Sequence, residues 1–372
     1  MLIRGEPDIQ NRVVMLADFD YFFAQCEELR NPALKDKPIV VGVYSGRTED
    51  SGAVSTANYI ARKFGVKSGL PLYLAKKRLK DTDAVFLPVD DEFYEQISEK
   101  IMQMLRNYAD SFEQTSIDEA YLDITQKVHG SFEAAGDLAH KMKNDVKRQV
   151  GIVLSVGVGP NKLIAKIAAD TQKPDGLTVV KPEEIQHFLS PLPVNRLLGV
   201  GRKTTAKLEE IGIGTVGELA KYDVQRLVDV FGKKLGVYFH NAAKGVDNEP
   251  VQETGEAESI SRIATLKENT RDLMVVLDKT DRLIEDIHKD VVQRNISFRQ
   301  VAVIAVMTDL SIRSRSKTLE SSTRDAEYLR RSVRELFEKL LGESKLEIRR
   351  VGVKISHFAK EEAKQKQLTN FF

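Results

Sequence analysis

The sequence has very little cysteine and no long apolar segment. Its 372 residues include one cysteine, Cys26, which excludes an internal disulfide and a cysteine-based zinc site, so we interpret Cys26 as a small buried residue. No uninterrupted apolar stretch approaches the roughly 18 residues that span a bilayer. The opening residues, MLIRGEPDIQNR, lack the apolar core of a signal peptide. These absences predict a soluble, folded protein of the cytoplasm with no membrane partner.

A strong excess of one charge is also lacking. The net charge is +1, which neither favours nor excludes a nucleic-acid partner. The charges are distributed unevenly, because acidic residues outnumber basic ones in the first 130 residues and basic residues outnumber acidic ones afterwards. A protein that holds metal ions in one region and phosphates in another has this asymmetry, and ordinary surface variation produces it too.

The first half of the chain alternates strand and helix patterns. Apolar runs at 13–17 and 38–43 have strand length, and the first ends abruptly at Asp18. An acid at the end of a buried strand lies at the rim of a sheet, where open α/β sheets tend to place their sites. Helical spacing of apolar residues predicts helices over 24–30, 91–108 and 132–150. We therefore predict a mixed α/β unit over residues 1–185.

The stretch TSIDEAYLDI, residues 115–124, places Asp118 and Glu119 side by side. Successive side chains of a continuous strand point to opposite faces, so two adjacent acids cooperate only where the backbone turns. Strand patterns precede and follow the pair, and a hairpin turning near Asp118 would put both carboxylates at one tip. With Asp18, three hard oxygen ligands would then converge, which suits Mg²⁺. Two such ions support in-line displacement at phosphorus. No His/Cys cluster, serine nucleophile motif or P-loop in the sequence competes with this chemistry.

Residues 190–245 carry short helical patterns that glycine interrupts. The stretch LLGVGRKTTAKLEEIGI is similar to a helix-hairpin-helix, in which the first helix ends at the turn formed by Gly199, Val200 and Gly201 and the second begins near Lys203. Exposed N–H groups at that helix start, with Arg202 and Lys203 beside them, suit a DNA phosphate without reading bases. The alternative is an ordinary glycine turn between two helices.

The last third of the chain predicts a small α+β domain. Residues 246–258 are polar and acidic, which favours a tether. The patterns after it predict a helix over 270–294, strands in VAVIAVMTDL and SIRSRSKTL, a helix over 325–341 and a last strand in IRRVGVKISHF. In a strand, Arg313, Arg315 and Lys317 share one face and would bind a phosphate backbone in a salt-dependent way. The alternative is an edge strand whose cations discourage aggregation.

Five motifs occur in the order found in one known family. They are DFDYFFAQCEE at 18–28, SGAVSTANYIARKFGVKSG at 51–69, SIDEAYLD at 116–123, SVGVGPNKLIAKIAAD at 155–170 and KPDG at 173–176. With them the chain resembles the Y-family DNA polymerases of the DinB or DNA polymerase IV type. The resemblance implies an α/β and α+β multidomain fold: a palm with a mixed sheet (1–24 and 84–185), small fingers (25–83), a helical thumb with the helix-hairpin-helix (186–245), a linker (246–258), an α+β little finger (259–358) and a clamp-binding tail (359–372).

The resemblance also implies roles for single residues. Asp18, Asp118 and Glu119 would be the catalytic acids that hold two Mg²⁺ ions, assisted by the backbone carbonyl of Phe19. The nucleotide-binding residues would be Tyr21, Phe22, Phe23, Tyr59, Arg62 and Lys173. Phe23 would be the steric gate against a ribose 2′-OH, while Tyr59, Arg62 and Lys173 would contact the triphosphate, where positive charge offsets the charge that develops in the transition state. Asp20 and Asp123 lie beside the ligands without matching them, and we expect supporting roles.

The last eight residues, QKQLTNFF, fit the Q-x-x-L-x-x-F-F pattern of peptides that bind the sliding clamp. One turn would gather Leu368, Phe371 and Phe372 into an apolar plug, while Gln365 hydrogen-bonds at the edge of the clamp pocket. The alternative is a tail that folds back onto its own domain. This form of the peptide favours an archaeal source.

The function implied is a template-directed, low-fidelity translesion DNA polymerase without proofreading, acting as a monomer on primer-template DNA and dNTPs. The primer 3′-OH would attack the α-phosphorus of a dNTP with loss of pyrophosphate. A nucleotidyl cyclase also uses a palm-like sheet with paired acids, but it would need neither a DNA-binding thumb nor a clamp-binding tail. A non-catalytic scaffold would have lost the metal-binding acids, and all three are present.

Overall fold

The structure of the chain, a computed structural model, describes residues 12–253, 255 and 257–360. The chain forms two compact units. The first contains the described residues up to Gly42 together with Val54–Leu70 and the described residues from Ala75 to Glu253, and the second contains Val43–Ala53, Pro71–Leu74 and the described residues from Gly255 onward. The clamp-binding tail predicted over Gln365 to Phe372 lies outside the described residues. Among the described helices, none has the length and apolar character that crossing a bilayer requires.

Strands and helices alternate through the first half, and long strands return in the last third. In chain order the elements are β1 (Val14–Phe19), α1 (Phe22–Arg30), β2 (Ile39–Tyr44), β3 (Gly52–Ala57), α2 (Tyr59–Arg62), α3 (Leu72–Arg78), β4 (Val85–Pro88), α4 (Asp91–Arg106), β5 (Ser111–Gln114), β6 (Glu119–Asp123), α5 (Phe132–Val150), β7 (Leu154–Gly159), α6 (Lys162–Ala169), β8 (Leu177–Val179), α7 (Ile185–Leu189), α8 (Arg202–Glu210), α9 (Val216–Lys221), α10 (Val224–Ala243), β9 (Ser259–Thr270), α11 (Leu273–Gln293), β10 (Ile296–Met307), β11 (Ile312–Thr323), α12 (Ala326–Gly342) and β12 (Ile348–Lys360). The predicted α/β and α+β fold class is confirmed.

A five-stranded mixed sheet forms the centre of the first unit. Its order is β5-β6-β1-β7-β8, with β1 antiparallel to both β6 and β7. Because side chains alternate along a strand, Met15 and Ala17 face a large core that includes α4 and α5, whereas Val14 and Leu16 face α6. Every residue of β1 is buried, as expected of a strand between two packed layers. A further sheet has the order β3-β2-β4, with β2 and β4 parallel.

The ends of the predicted helices have local causes. The Ser131 side chain accepts a hydrogen bond from the Ala134 N–H, which caps the start of α5, and Gly151 ends the helix at φ 82°. The Asp90 carboxylate accepts from the Phe93 N–H and starts α4 in the same way. The predicted helices over 132–150 and 91–108 are thus confirmed, the second ending two residues early.

The predicted helix-hairpin-helix differs in its first half. The expected first helix is only a short 3₁₀ helix, Val194–Arg196. Proline disfavours helical backbone at the residue before it, so Pro191 and Pro193 prevent an earlier start, and Leu197 leaves the helix with extended backbone. The second helix, α8, begins at Arg202 with Gly201 as its N-cap. Gly199 has φ 78°, which favours glycine. The following helices α9 and α10 share a separate apolar core with α6.

The second unit contains a four-stranded sheet of order β11-β10-β12-β9, in which all neighbours are antiparallel. Helices α11 and α12 pack on one of its faces. Strand β9 was not predicted, because most of its residues are exposed or half-buried and its sequence, SISRIATLKENT, is largely polar. The predicted tether also has an ordered part within the first unit: Val251 is buried against Leu16 and Tyr121 on the face that α6 covers.

Candidate active site

Asp18 and Glu119 lie directly opposite each other on β1 and β6. Facing residues of antiparallel strands have Cβ atoms roughly 4.5–5.5 Å apart on one face of the sheet. Asp18 has the same strand parity as Val14 and Leu16, so both carboxylates lie on the face that α6 covers. Strands β5 and β6 pair as the predicted hairpin, whose loop contains Asp118.

Asp118 is joined to the strand end through its backbone. The Phe19 N–H donates to the Asp118 carbonyl at 2.8 Å. The Asp118 carboxylate accepts from the Ser116 hydroxyl at 2.6 Å, within its own loop. Over the described residues, no group of three or more His, Cys, Asp and Glu side chains is arranged to hold a metal ion. The structure therefore brings Asp18 and Glu119 together and keeps the Asp118 carboxylate in the adjacent loop.

Two ammonium groups reach Asp18. Lys166 of α6 has its Nζ 3.0 Å from Asp18 Oδ2 and also donates to Glu119 Oε2, so it bridges the two acids. The Lys173 Nζ lies 2.6 Å from Asp18 Oδ2 and 2.9 Å from Asp170 Oδ1. Sequence reasoning assigned Lys173 and missed Lys166. The signal that could have found it is the spacing of four residues from Lys162, which puts both lysines on one side of α6.

Burial and charge act in opposite directions on these lysines. Burial alone would lower the pKa of Lys166, but the carboxylates of Asp18 and Glu119 outweigh it and raise that pKa above its ordinary value. The pKa of Lys173 is raised in the same way, because Asp18 and Asp170 outweigh the effect of burial. Both side chains are therefore cations at neutral pH.

Asp20 lies buried behind the site. Its two carboxylate oxygens accept from the Ser155 hydroxyl at 3.0 and 2.9 Å, and one of them accepts from the Asp175 N–H at 2.8 Å. Burial raises the pKa of Asp20, and these hydrogen bonds oppose the shift. Asp20 thus connects the end of β1 to the KPDG segment that carries Lys173.

The aromatic residues after β1 divide between the site and the core. Tyr21 meets the Tyr59 ring edge to face at 5.4 Å, and the Arg62 guanidinium lies 4.7 Å from the centroid of Tyr59. Burial raises the pKa of the Tyr59 hydroxyl. The negative charges of Asp20 and Asp18 raise it further, while the positive charges of Arg62 and Lys173 oppose the shift. Tyr59 therefore belongs to the neighbourhood of the acids. The Phe22 ring is buried in the main core, and Phe23 stacks on Tyr94.

The thumb residues singled out in the sequence lie at an exposed helix start. Gly201, Arg202 and Lys203 are all exposed at the beginning of α8. A side chain at Gly201 would meet open space, and no side chain caps that helix end. The backbone N–H groups of the first turn of α8 therefore lie beside two cations, as the phosphate-binding hypothesis requires.

The basic row of β11 has partners that the sequence did not reveal. Arg313, Arg315 and Lys317 share one strand face, as predicted, and Leu319 on the same face is buried. Arg315 forms an ion pair with Glu343, and the Lys317 Nζ lies 2.8 Å from Glu335 Oε2. These partners lie in α12 or directly after it. The row therefore faces the helices, and its charge is partly neutralised.

Family models match most of the chain. Residues 17–170 match the impB/mucB/samB family, residues 257–370 match the C-terminal domain of that family, and residues 195–247 match the thumb domain of DNA polymerase-iota. The chain is 42% identical to the DNA polymerase IV of Nitrosopumilus maritimus over 98% of this chain and the whole relative. It is 44% identical to the DNA polymerase IV of Methanosarcina acetivorans over 95% of this chain and 98% of the relative. Both organisms are archaea.

Solved structures agree with these matches. A Y-family DNA polymerase chimera superposes with a TM-score of 0.88 at 40% identity, covering 94% of this chain and 99% of the chimera. An insertion ternary complex of Dbh DNA polymerase gives a TM-score of 0.68 at 39% identity with the same coverage. The resemblance inferred from the sequence motifs is confirmed. The chain therefore belongs to the Y-family DNA polymerases of the DNA polymerase IV type, and it is a DNA-directed DNA polymerase of translesion synthesis.

Proposed function

We propose that this polymerase adds dNTPs to a primer 3′ end with low fidelity and without proofreading, by phosphoryl transfer that two Mg²⁺ ions assist. The observation that carries the proposal is the register of β1 and β6, which places Asp18 opposite Glu119. One oxygen of each carboxylate already binds a cation, the ammonium group of Lys166, and Asp18 also binds that of Lys173. Carboxylate oxygens that gather positive charge in this way are the ligand type that Mg²⁺ prefers.

The residues proposed to hold the metal are Asp18, Asp118, Glu119 and the Phe19 carbonyl. Asp118 joins the other two acids once its carboxylate is released from Ser116. Bound divalent ions would activate the attacking hydroxyl and stabilise the leaving oxygen. The primer 3′ oxygen would bond to the α-phosphorus and lose its proton to solvent, while the bond between the α-phosphorus and the bridging oxygen would break and pyrophosphate would leave with that electron pair.

The nucleotide is proposed to bind beside these acids through Tyr21, Phe22, Phe23, Tyr59, Arg62 and Lys173. Arg62 is held by a hydrogen bond from its Nε to the Ala57 carbonyl at 2.8 Å and by its contact with Tyr59. Its remaining guanidinium nitrogens are donors that suit a phosphate oxygen. Lys173 is a second cation for the triphosphate. Phe23 supplies the steric gate, since its ring rests on a buried aromatic neighbour.

Primer-template DNA is proposed to contact the start of α8 through Gly199, Gly201, Arg202 and Lys203, and the second unit through Arg313, Arg315 and Lys317. When cations of the protein neutralise DNA phosphates, the binding weakens as the salt concentration rises. We further propose that Gln365, Leu368, Phe371 and Phe372 bind a sliding clamp. The polymerase would then act as a cytoplasmic monomer held on DNA by that partner.

Primer extension tests the acids. We expect the intact chain to extend a primer on an undamaged template with Mg²⁺ and dNTPs, and Asp118→Ala/Glu119→Ala to bind the same DNA without extending it. The matched control is Asp91→Ala/Glu92→Ala, which removes a pair of adjacent exposed acids from the first turn of α4. It should extend the primer normally. Equal extension by the intact chain and Asp118→Ala/Glu119→Ala would refute the assignment of the metal-binding acids.

A further inference from the structure

Lys166 holds a position that the proposed chemistry leaves unexplained. Its ammonium group lies between the two facing acids, bonded to Asp18 Oδ2 at 3.0 Å and to Glu119 Oε2. Mg²⁺ binding as proposed needs these same carboxylates. Since one oxygen cannot accept a short bond from an ammonium group and a divalent ion along the same direction, the two cations exclude each other at this position.

The surroundings explain why a cation is needed before any metal arrives. The side chains of Asp18 and Glu119 are only 11% and 19% exposed. Two carboxylates in such a place repel each other, and losing water from each costs free energy. Positive charge beside them offsets both effects. The Lys166 side chain, itself 19% exposed, supplies from α6 the charge that lies between the two acids. Lys173 supplies a second charge, which of these two acids pairs with Asp18 alone.

The position of Lys166 also allows it to leave. The helix that carries it is anchored elsewhere, because Lys162, one turn earlier, forms an ion pair with Glu113 at 2.8 Å. The helix therefore stays in place if the Lys166 side chain moves. A lysine has a flexible four-carbon stem and a compact charge, so its ammonium group can swing away without a change of backbone.

We propose that the Lys166 ammonium group is a displaceable counter-ion that occupies the divalent-cation position between Asp18 and Glu119 in the metal-free enzyme and competes with the metal for the same two oxygens. This inference rests on the proposed function, since it takes Asp18 and Glu119 as metal ligands. Lys166 is a positioning residue in this scheme, acting through the carboxylates. The polymerase consequently binds a divalent ion more weakly than its acids alone would, and its metal-free site is stable.

The experiment measures Mn²⁺ binding by the full-length protein without DNA or nucleotide, using the electron paramagnetic resonance signal of free Mn²⁺. Lys166→Met keeps the stem and removes the charge, and we expect its Kd for Mn²⁺ to fall at least about tenfold. Lys166→Arg keeps the charge and should remain close to the unsubstituted protein. The matched control is Lys181→Met, which removes a lysine that pairs with Glu133 and contacts neither Asp18 nor Glu119, and it should leave the Kd unchanged.

A second measurement tests whether Lys166→Met destabilises the metal-free protein. In EDTA the Tm of Lys166→Met should fall, and Mn²⁺ should raise it by more than it raises the Tm of the unsubstituted protein. If Lys166→Met does not fold in EDTA, folding should return when Mn²⁺ is added. An unchanged or weaker affinity for Mn²⁺, or a folding defect that Mn²⁺ does not correct, overturns the inference.

A further variant separates this inference from the proposed metal site. Adding Glu119→Gln to Lys166→Met should abolish the tight Mn²⁺ binding. If Glu119→Gln and Asp18→Asn leave Mn²⁺ binding intact in every background, the proposed ligands are wrong. If those two substitutions abolish binding while Lys166→Met fails to tighten it, the ligands stand and only the role of Lys166 is refuted.

Discussion

The ring of Phe23 lies stacked on the ring of Tyr94, with their centroids 4.5 Å apart and their planes 18° apart. Tyr94 is fully buried, and its hydroxyl donates to Glu27 Oε1 at 2.7 Å. Burial and the Glu27 carboxylate both raise the pKa of the Tyr94 hydroxyl, which therefore stays protonated. The half-buried Phe23 ring thus rests against a neighbour that is fixed by packing and by a buried hydrogen bond.

The first prediction concerns sugar selection. Phe23→Ala removes the ring proposed to meet the ribose 2′-OH, so the preference for dNTP over rNTP, measured as the ratio of kcat/KM values, should fall on the order of 100-fold. Tyr73→Ala removes an aromatic ring that is 57% exposed and should leave this ratio unchanged. A ratio that Phe23→Ala does not alter would exclude Phe23 as the steric gate.

The second prediction concerns the support behind that ring. Tyr94→Phe leaves the buried Glu27 carboxylate without its hydroxyl donor, so the free energy of unfolding in urea should fall by about 1–3 kcal/mol. The double variant Glu27→Gln/Tyr94→Phe should lose less than the two single losses combined, because the residues are in contact. The control is Tyr73→Phe, which removes a hydroxyl from an exposed residue and should leave the free energy of unfolding unchanged. Additive losses would mean that the Tyr94–Glu27 hydrogen bond contributes nothing.

The third prediction concerns the anchor of α6. The Lys162 Nζ lies 2.8 and 3.0 Å from the two oxygens of Glu113, and both side chains are nearly buried. Lys162→Met leaves an unpaired buried carboxylate and should cost about 3–5 kcal/mol of unfolding free energy. Lys162→Met/Glu113→Leu removes both charges and should recover most of that loss. If the double variant recovers none of the lost unfolding free energy, the broken ion pair is not the cause of the loss in Lys162→Met.

The same pair has a local consequence that proteolysis can detect. Glu113 Oε2 also accepts from the Gln252 N–H at 3.3 Å, close to the buried Val251. Lys162→Met should therefore loosen the segment around Gln252 and make it easier to cleave under native conditions.

The fourth prediction compares the two proposed DNA contacts. Arg202→Ala/Lys203→Ala should weaken DNA binding and reduce the slope of log K against log salt by about 2, if each cation meets one phosphate. Arg315→Ala/Lys317→Ala should change the slope less, because Glu343 and Glu335 already pair with these cations. Fluorescence anisotropy with a labelled primer-template over a range of salt concentrations measures both slopes. A larger change of slope for Arg315→Ala/Lys317→Ala than for Arg202→Ala/Lys203→Ala would contradict this prediction.

Several elements could be predicted because their causes are local. The bounds of α5 follow from the spacing of its apolar residues, with Ser131 and Gly151 at its ends. The end of β1 near Asp18 follows from an apolar run that stops at a charged residue. Strand β9 was not predicted because its sequence is largely polar. Its extended conformation depends on pairing with β12, which the local sequence does not show.

The motifs, their order and the acids at 18, 118 and 119 can all be read from the amino-acid sequence, and these sufficed to identify the family. The surroundings of those acids depend on tertiary packing. Lys166 is an ordinary helical lysine until α6 packs against β1 and β7, which brings its ammonium group between Asp18 and Glu119. The cations of β11 likewise acquire acidic partners only when α12 covers the sheet. Local sequence patterns predict secondary structure. Charge neutralisation instead depends on residues that are distant in the chain and meet only in the folded protein.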